Sequence, residues 1–144
     1  MDRQPVVLVA DDDEDVLELV AFRLRRAGYR TITARDGREA MELVRTEHPD
    51  LSVLDVAMPE MDGLEVTRAL RGSEQTREMP IILLTARSQE RDVLAGIEAG
   101  ADAYIKKPFS HRELRARVES MLAETARTEG EAGSSESSTR DRTL

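Results

Sequence analysis

Five short apolar runs alternate along the chain with five segments in which apolar residues recur at helical spacing. The runs lie at residues 6–10, 29–33, 51–54, 81–84 and 103–105. Most are continuous, as expected for strands buried on both faces of a parallel sheet. Between and after the runs, apolar residues recur every three or four positions, as at Leu114, Val118 and Leu122. This alternation predicts an α/β fold with a five-stranded parallel sheet covered by helices on both faces.

Polar residues stand where four of these strands end. Asp11 and Asp12 follow the first strand, Asp55 the third, Thr85 the fourth and Lys107 the fifth. The carboxyl ends of parallel strands meet at one edge, where open α/β sheets bind ligands. Two like charges 4 Å apart repel by about 4 kcal/mol at an effective dielectric of about 20, so three clustered carboxylates need a neutralising partner. The pattern therefore predicts a site for a divalent cation and a phosphoryl group.

Each of these residues also has a simpler structural explanation when it is taken alone. The acidic run after the first strand could cap a helix, for example through Asp13. Asp55 precedes a loop that contains Pro59 and Gly63, so it could simply begin a turn. The hypothesis of a site depends on the joint occurrence of these residues at four strand ends.

Composition narrows the functional classes. The chain has 144 residues, of which 40% are hydrophobic, which suits one domain with one core. Its net charge of −8 opposes direct binding to nucleic acid. The sequence has no cysteine, and none of its apolar runs approaches the roughly 18 residues of a membrane span. The N-terminal residues lack the pattern of a secretory signal, so we expect a cytoplasmic location.

The composition changes near residue 127. Residues 127–144 are rich in Ser, Gly and Glu and contain few apolar residues. We therefore predict a domain at residues 1–126 and a disordered tail at 127–144.

Four ordered motifs resemble the receiver domain of bacterial response regulators. They are VADDD at residues 9–13, LDVAMPEMDG at 54–63, LTA at 84–86 and YIKKPF at 104–109. Each motif is weak alone, but the ordered set is specific, and the resemblance spans about residues 5–125. It implies a CheY-like, doubly wound (βα)5 sheet with the flavodoxin-like strand order 2-1-3-4-5, acting as a stand-alone receiver.

The resemblance also implies roles for the site residues. Asp55 matches the aspartate that accepts a phosphoryl group from a histidine kinase or phosphotransfer protein. Asp12, Asp55 and the backbone carbonyl of Ala57 match the ligands of Mg²⁺, with Mn²⁺ as a substitute, and Asp11 acts mainly through water. Lys107 matches the lysine that pairs with the phosphoryl oxygens, and its peptide bond to the following proline is expected to be cis. Phosphotransfer and later dephosphorylation would be self-catalysed.

Further matched positions concern the signal. Thr85 matches the switch hydroxyl and Tyr104 the switch aromatic, which together would alter the surface of the fourth helix, fifth strand and fifth helix. A downstream protein target would recognise that surface. Asp102 and Arg117 resemble positions that pair across phosphorylation-linked homodimers, and Arg87 occupies a position that tunes hydrolysis of the phosphoaspartate.

Two alternative functions remain open from the residues. A Mg²⁺-dependent phosphohydrolase with an aspartyl-phosphate intermediate would use a D-x-D-x-T/V motif after the first strand. Asp11 and Asp13 have that spacing, but Asp15 stands at the third position and Asp55 has no role. A degenerate receiver that only binds partners is the other alternative, and the intact set of site residues argues against it.

Overall fold

The computed structural model describes residues 3–86 and 90–134, with side chains described for 3–86 and 91–126. Its five strands are β1 Val6–Ala10, β2 Arg30–Ala34, β3 Leu51–Asp55, β4 Ile81–Thr85 and β5 Ala103–Lys106. They form one sheet in the order β2-β1-β3-β4-β5, and every pairing is parallel. The predicted fold class and strand order are confirmed, although β2 lies one residue later than its apolar run and β3, β4 and β5 each extend one residue beyond theirs.

Five helices connect the strands and close the fold. They are α1 Glu14–Arg26, α2 Gly37–Glu47, α3 Gly63–Arg71, α4 Glu90–Ala99 and α5 His111–Ser134. The first three each begin after an aspartate whose side chain accepts hydrogen bonds from backbone N–H groups of the first turn. Such caps satisfy donors that have no partner inside the helix, so they fix where each helix leaves the sheet edge.

The sheet is buried on both faces, which explains why its strands are continuously apolar. Val7 and Val9 of β1 contribute to one core cluster, which contains residues of α1 and α5. The alternate residues Leu8 and Ala10 contribute to a second cluster with residues of α2 and α3. Successive side chains of a strand point to opposite faces, so one run supplies both clusters.

Helix α5 extends further than the sequence pattern suggested. Its backbone is helical through Ser134, whereas the predicted tail began at residue 127. Residues 127–134 include Gly130 and Gly133, each about 1 kcal/mol less favourable in a helix than alanine, so intrinsic propensity does not explain the extension. The rest of the predicted tail and Arg87 lie outside the described residues. No helix in the described part of the chain is both long and apolar enough to cross a membrane.

Two left-handed backbone positions give a test of local strain. His48 ends α2 with φ 49° and ψ 62°, a conformation that glycine adopts without a steric penalty. We expect His48→Gly to raise the free energy of unfolding by about 0.5–1 kcal/mol in urea denaturation. Gly28 has φ +104°, so Gly28→Ala should lower it, even though an added Cβ would meet no described atom within 4 Å. Effects of the same sign in both variants would contradict this account.

Candidate functional site

Strand register brings the strand-end residues to one edge of the sheet. Ala10 pairs with Leu54, so Asp11, which follows β1, and Asp55, the last residue of β3, are neighbours. Asp55 pairs with Leu84, immediately before Thr85, and Thr85 pairs with Lys106. The carboxyl ends of the strands therefore meet as the sequence predicted.

Lys107 joins two buried carboxylates at this edge. Its Nζ donates a hydrogen bond of 2.9 Å to Asp11 Oδ2 and lies 3.3 Å from Asp55 Oδ1. Asp11 is fully buried and Asp55 is 5% exposed. The backbone N–H of Lys107 donates to the Thr85 carbonyl over 2.7 Å, which fixes where the lysine leaves the sheet. The Lys107–Pro108 peptide bond is cis, as expected.

The close packing of buried carboxylates shifts the pKa values of Asp55 and Lys107. Burial and the nearby Asp11 raise the pKa of Asp55 from 3.8 to about 6, and Lys107 limits the rise. Burial opposes the charge of Lys107, but the hydrogen bond to Asp11 and the attraction of Asp55 outweigh it, so its pKa is raised. Lys107 therefore stays charged. Asp55, the second buried carboxylate, ionises only at a cost to the stability of the folded protein.

Because ionised Asp55 destabilises the metal-free protein, Asp55→Asn should be more stable than wild type, and the difference should depend on pH. The unfolded carboxyl ionises near 3.8 and the folded one at about 6, so the folded state binds the proton more tightly. The wild-type free energy of unfolding therefore falls as pH rises through this interval. We expect Asp55→Asn to be more stable by about 1–3 kcal/mol at pH 7, with the difference vanishing below about pH 4.

Urea denaturation of both proteins at several pH values, with a chelator present, measures this difference. Taking the difference between variant and wild type cancels the titration of groups that do not interact with Asp55. A variant that is less stable than the wild type at pH 7 would contradict the expectation.

The acidic cluster fits a hard divalent cation. Asp11, Asp12 and Asp55 each offer a carboxylate oxygen, and these oxygens lie within 4.8 Å of one another. Oxygen ligands on opposite sides of one Mg²⁺ ion are about 4 Å apart. Asp12 is exposed and can adjust its side chain, whereas the other two are held by burial. Three carboxylates against one ammonium leave an excess of negative charge that such a cation would offset.

The neighbouring residues have different functions from those in the cluster. Asp13 is the N-cap of α1, where its side chain accepts hydrogen bonds from the backbone N–H groups of Asp15 and Val16. The capping explanation thus holds for Asp13, whereas Asp11 accepts the backbone N–H of Asp13 through Oδ1 and the Lys107 ammonium through Oδ2. Lys106 is exposed, whereas Lys107 is turned into the site.

The two residues predicted to carry the signal lie near this edge. Thr85 is buried at the end of β4, and Tyr104 is half-buried in β5, paired with Leu83. The Tyr104 ring packs closely on α4, where a Cβ added to Gly96 would lie 2.7 Å from the ring. The aromatic side chain therefore contacts the helix that would transmit a signal.

Sequence reasoning missed an arginine that ties α3 to the segments that precede β4 and β5. Arg71 donates hydrogen bonds to the backbone carbonyls of Gly100, Arg77 and Met79 and to the Asp102 carboxylate. Asp102 Oδ2, 2.8 Å from Arg71, also accepts the backbone N–H of Ile81. The predicted dimer residue is thus engaged within its own chain, a long-range contact that no local sequence signal revealed.

Comparison with known proteins identifies the class. A family model described as the response regulator receiver domain matches residues 7–119. The chain therefore belongs to the response regulator receiver domain family, whose members are signalling switches.

Individual relatives agree with this assignment. The chain is 49% identical over 116 residues to the alkaline phosphatase synthesis transcriptional regulatory protein PhoP of Bacillus subtilis, a match that covers 81% of this chain and 48% of PhoP. It thus spans about half the length of that relative. A response regulator structure from Chloroflexus aurantiacus is 37% identical with a TM-score of 0.80, covering 84% of this chain and 99% of that one.

A further solved structure bears on the acidic cluster. The receiver domain of the sensor histidine kinase PA1611 from Pseudomonas aeruginosa has a magnesium ion coordinated in its active-site cleft. It is 29% identical to this chain with a TM-score of 0.78, and the match covers 84% of this chain and 99% of that domain.

Proposed function

We propose that this receiver domain accepts a phosphoryl group on Asp55 from a histidine kinase or phosphotransfer protein in a Mg²⁺-dependent reaction. One observation carries the proposal: a nearly buried carboxylate lies 3.3 Å from an ammonium group within a cluster of acidic residues. An aspartate with only a structural role would gain no stability from a second buried carboxylate beside it.

Asp11, Asp12, Asp55 and the backbone carbonyl of Ala57 would hold the Mg²⁺ ion, for which Mn²⁺ is a substitute. When bound, the ion supplies positive charge that neutralises the carboxylates and the phosphoryl oxygens. The raised pKa of Asp55, at about 6, leaves most of its carboxyl ionised at pH 7. The group is therefore a competent nucleophile toward phosphorus.

The chain's own residues supply positioning and charge. The Asp55 oxygen forms a bond to phosphorus as the bond between phosphorus and the donor's imidazole nitrogen breaks, and the nitrogen keeps the electron pair. Lys107 offers its ammonium to the phosphoryl oxygens, whose negative charge must be offset during transfer. Because this chemistry needs little covalent help, the receiver itself would catalyse its phosphorylation and the later hydrolysis.

The phosphorylated state would alter the surface formed by α4, β5 and α5. A phosphoryl group on Asp55 would attract the Thr85 hydroxyl, and Tyr104 would follow toward the space released. Moving a population from 1:99 to 99:1 needs about 5.5 kcal/mol of differential interaction, within reach of a few charge-assisted hydrogen bonds.

The partner for this surface would be a downstream protein rather than DNA. Leu94 and Ile97 of α4 are 50% and 59% exposed, which gives the surface an apolar centre. A phosphorylation-linked homodimer through the same surface has weaker support, because Asp102 is paired with Arg71 inside the chain.

Incubation with acetyl phosphate tests the proposal. Mass spectrometry of intact wild-type protein should show one added phosphoryl group with Mg²⁺ present and none after chelation. Peptide mapping should place the group on Asp55. Catalytic turnover of a small phosphate ester without labelling of Asp55 would instead support a phosphohydrolase, which the structure disfavours because Asp13 caps α1.

A further inference from the structure

Two helices beside the site begin with the same pair of residues. Asp36-Gly37 starts α2 and Asp62-Gly63 starts α3, and both aspartates cap their helices. Both glycines are buried, and neither has a positive φ. Glycine is less favourable than alanine in a helix by up to about 1 kcal/mol, so backbone conformation gives no reason for it at either position.

The reason is the close approach of another backbone segment. A Cβ at Gly37 would lie 2.0 Å from the Met61 carbonyl oxygen and 2.5 Å from Met61 Cβ. A Cβ at Gly63 would lie 2.4 Å from the Asp55 carbonyl oxygen. These are backbone atoms or a Cβ, which cannot rotate aside as a long side chain can. Gly37 therefore admits Met61, near the end of the β3–α3 segment (residues 56–61), and Gly63 admits the backbone of Asp55, where that segment begins.

The segment itself has little freedom to move away from Gly37. The Gly63 N–H donates to the Val56 carbonyl over 2.8 Å and closes the loop at its base. At its tip, Glu60 has φ +70° while the Met61 N–H donates to the Pro59 carbonyl over 2.8 Å. A side chain at position 37 would therefore displace a tightly turned loop rather than be absorbed locally.

We propose that Gly37 is a positioning residue for divalent-cation binding, acting through Met61 on the loop that carries Ala57. This inference rests on the proposed function, in which the Ala57 carbonyl is a cation ligand. Gly37 belongs to a different helix and does not touch the acidic cluster itself. Because Gly37 has no Cβ, the β3–α3 segment can pack directly against the start of α2, with its backbone facing the carboxylates.

Titration calorimetry with MgCl2 tests the inference in the intact chain. We expect Gly37→Ala to raise the Kd for Mg²⁺ about tenfold, the loss typical of residues that orient metal ligands. The matched control is Gly72→Ala at the end of α3, where a Cβ would make ordinary contacts of 3.5 and 3.7 Å, and its Kd should equal that of wild type. In metal-free protein, the backbone amide NMR shifts of residues 57–61 should change in Gly37→Ala and stay unchanged in the control.

A lower stability of Gly37→Ala is separated from its effect on binding in two ways. The substitution is also made in the His48→Gly background, which we expect to be more stable. The rise in the free energy of unfolding on adding Mg²⁺ is then compared, because at a given Mg²⁺ concentration it depends only on the Kd of the folded state and not on the starting stability. A reduced rise supports the inference, whereas a rise and a Kd equal to those of wild type would overturn it. Failure of the wild type to bind Mg²⁺ would instead overturn the proposed function.

Discussion

Asp55→Asn is expected to abolish labelling of the chain by acetyl phosphate while the protein stays folded. Asparagine has nearly the shape of aspartate but lacks the anionic oxygen that forms the bond to phosphorus. Asp55 ends β3 at 3.3 Å from the Lys107 ammonium; Asp11 lies closer, at 2.9 Å, but is fully buried, whereas Asp55 keeps 5% of its surface exposed. Intact-mass spectrometry after incubation with Mg²⁺ should show no phosphorylated species.

Asp13→Asn provides the matched control for that experiment. Asparagine caps helices about as well as aspartate, so the start of α1 should be preserved. Its labelling rate should equal that of wild type because Asp13 is outside the acidic cluster. Labelling of Asp55→Asn at the wild-type rate would show that another residue is the acceptor.

Lys107→Ala should slow labelling by about 100-fold, the usual loss when one preorganised charge or donor at the reacting group is removed. The change removes the ammonium that lies within 3.3 Å of both buried carboxylates. Without that attraction the pKa of Asp55 should rise above its present value of about 6. The rate of labelling should therefore reach half of its maximum at a higher pH in the variant than in wild type.

Lys106→Ala distinguishes the site lysine from its neighbour. Lys106 is exposed and precedes Lys107 in the chain, so its loss changes the net charge equally but leaves the site intact. We expect its rate and pH profile to match those of wild type. Similar losses in the two variants would mean that general electrostatic attraction, rather than the contact with Asp55, governs the reaction.

Much of the fold could be predicted because its signals are local and repeated. Continuous apolar runs such as Val6–Ala10 report a strand buried on both faces, and the structure confirms this burial. The end of α5 could not be predicted from apolar spacing, because its helical backbone continues to Ser134, beyond Leu122, the last residue of the periodic pattern.

The clustering of the site residues could also be predicted from the sequence, but not all of their contacts. The strand-end positions of Asp11, Asp55 and Lys107 indicated one cluster, and the structure brings them within hydrogen-bonding or ion-pair distance. The internal pairing of Asp102 with Arg71 was not foreseen, because it joins residues that are 31 positions apart.

The sequence by itself determined which residues reach the carboxyl edge of the sheet, since parallel strands joined by crossovers must place their ends together. Only the tertiary structure decided how those residues are used there. Lys107 pairs with the buried Asp11 as well as Asp55, Asp13 turns away to cap α1, and Gly37 admits the backbone of Met61. These outcomes depend on distances between segments far apart in the chain, which a linear pattern of residue types does not contain.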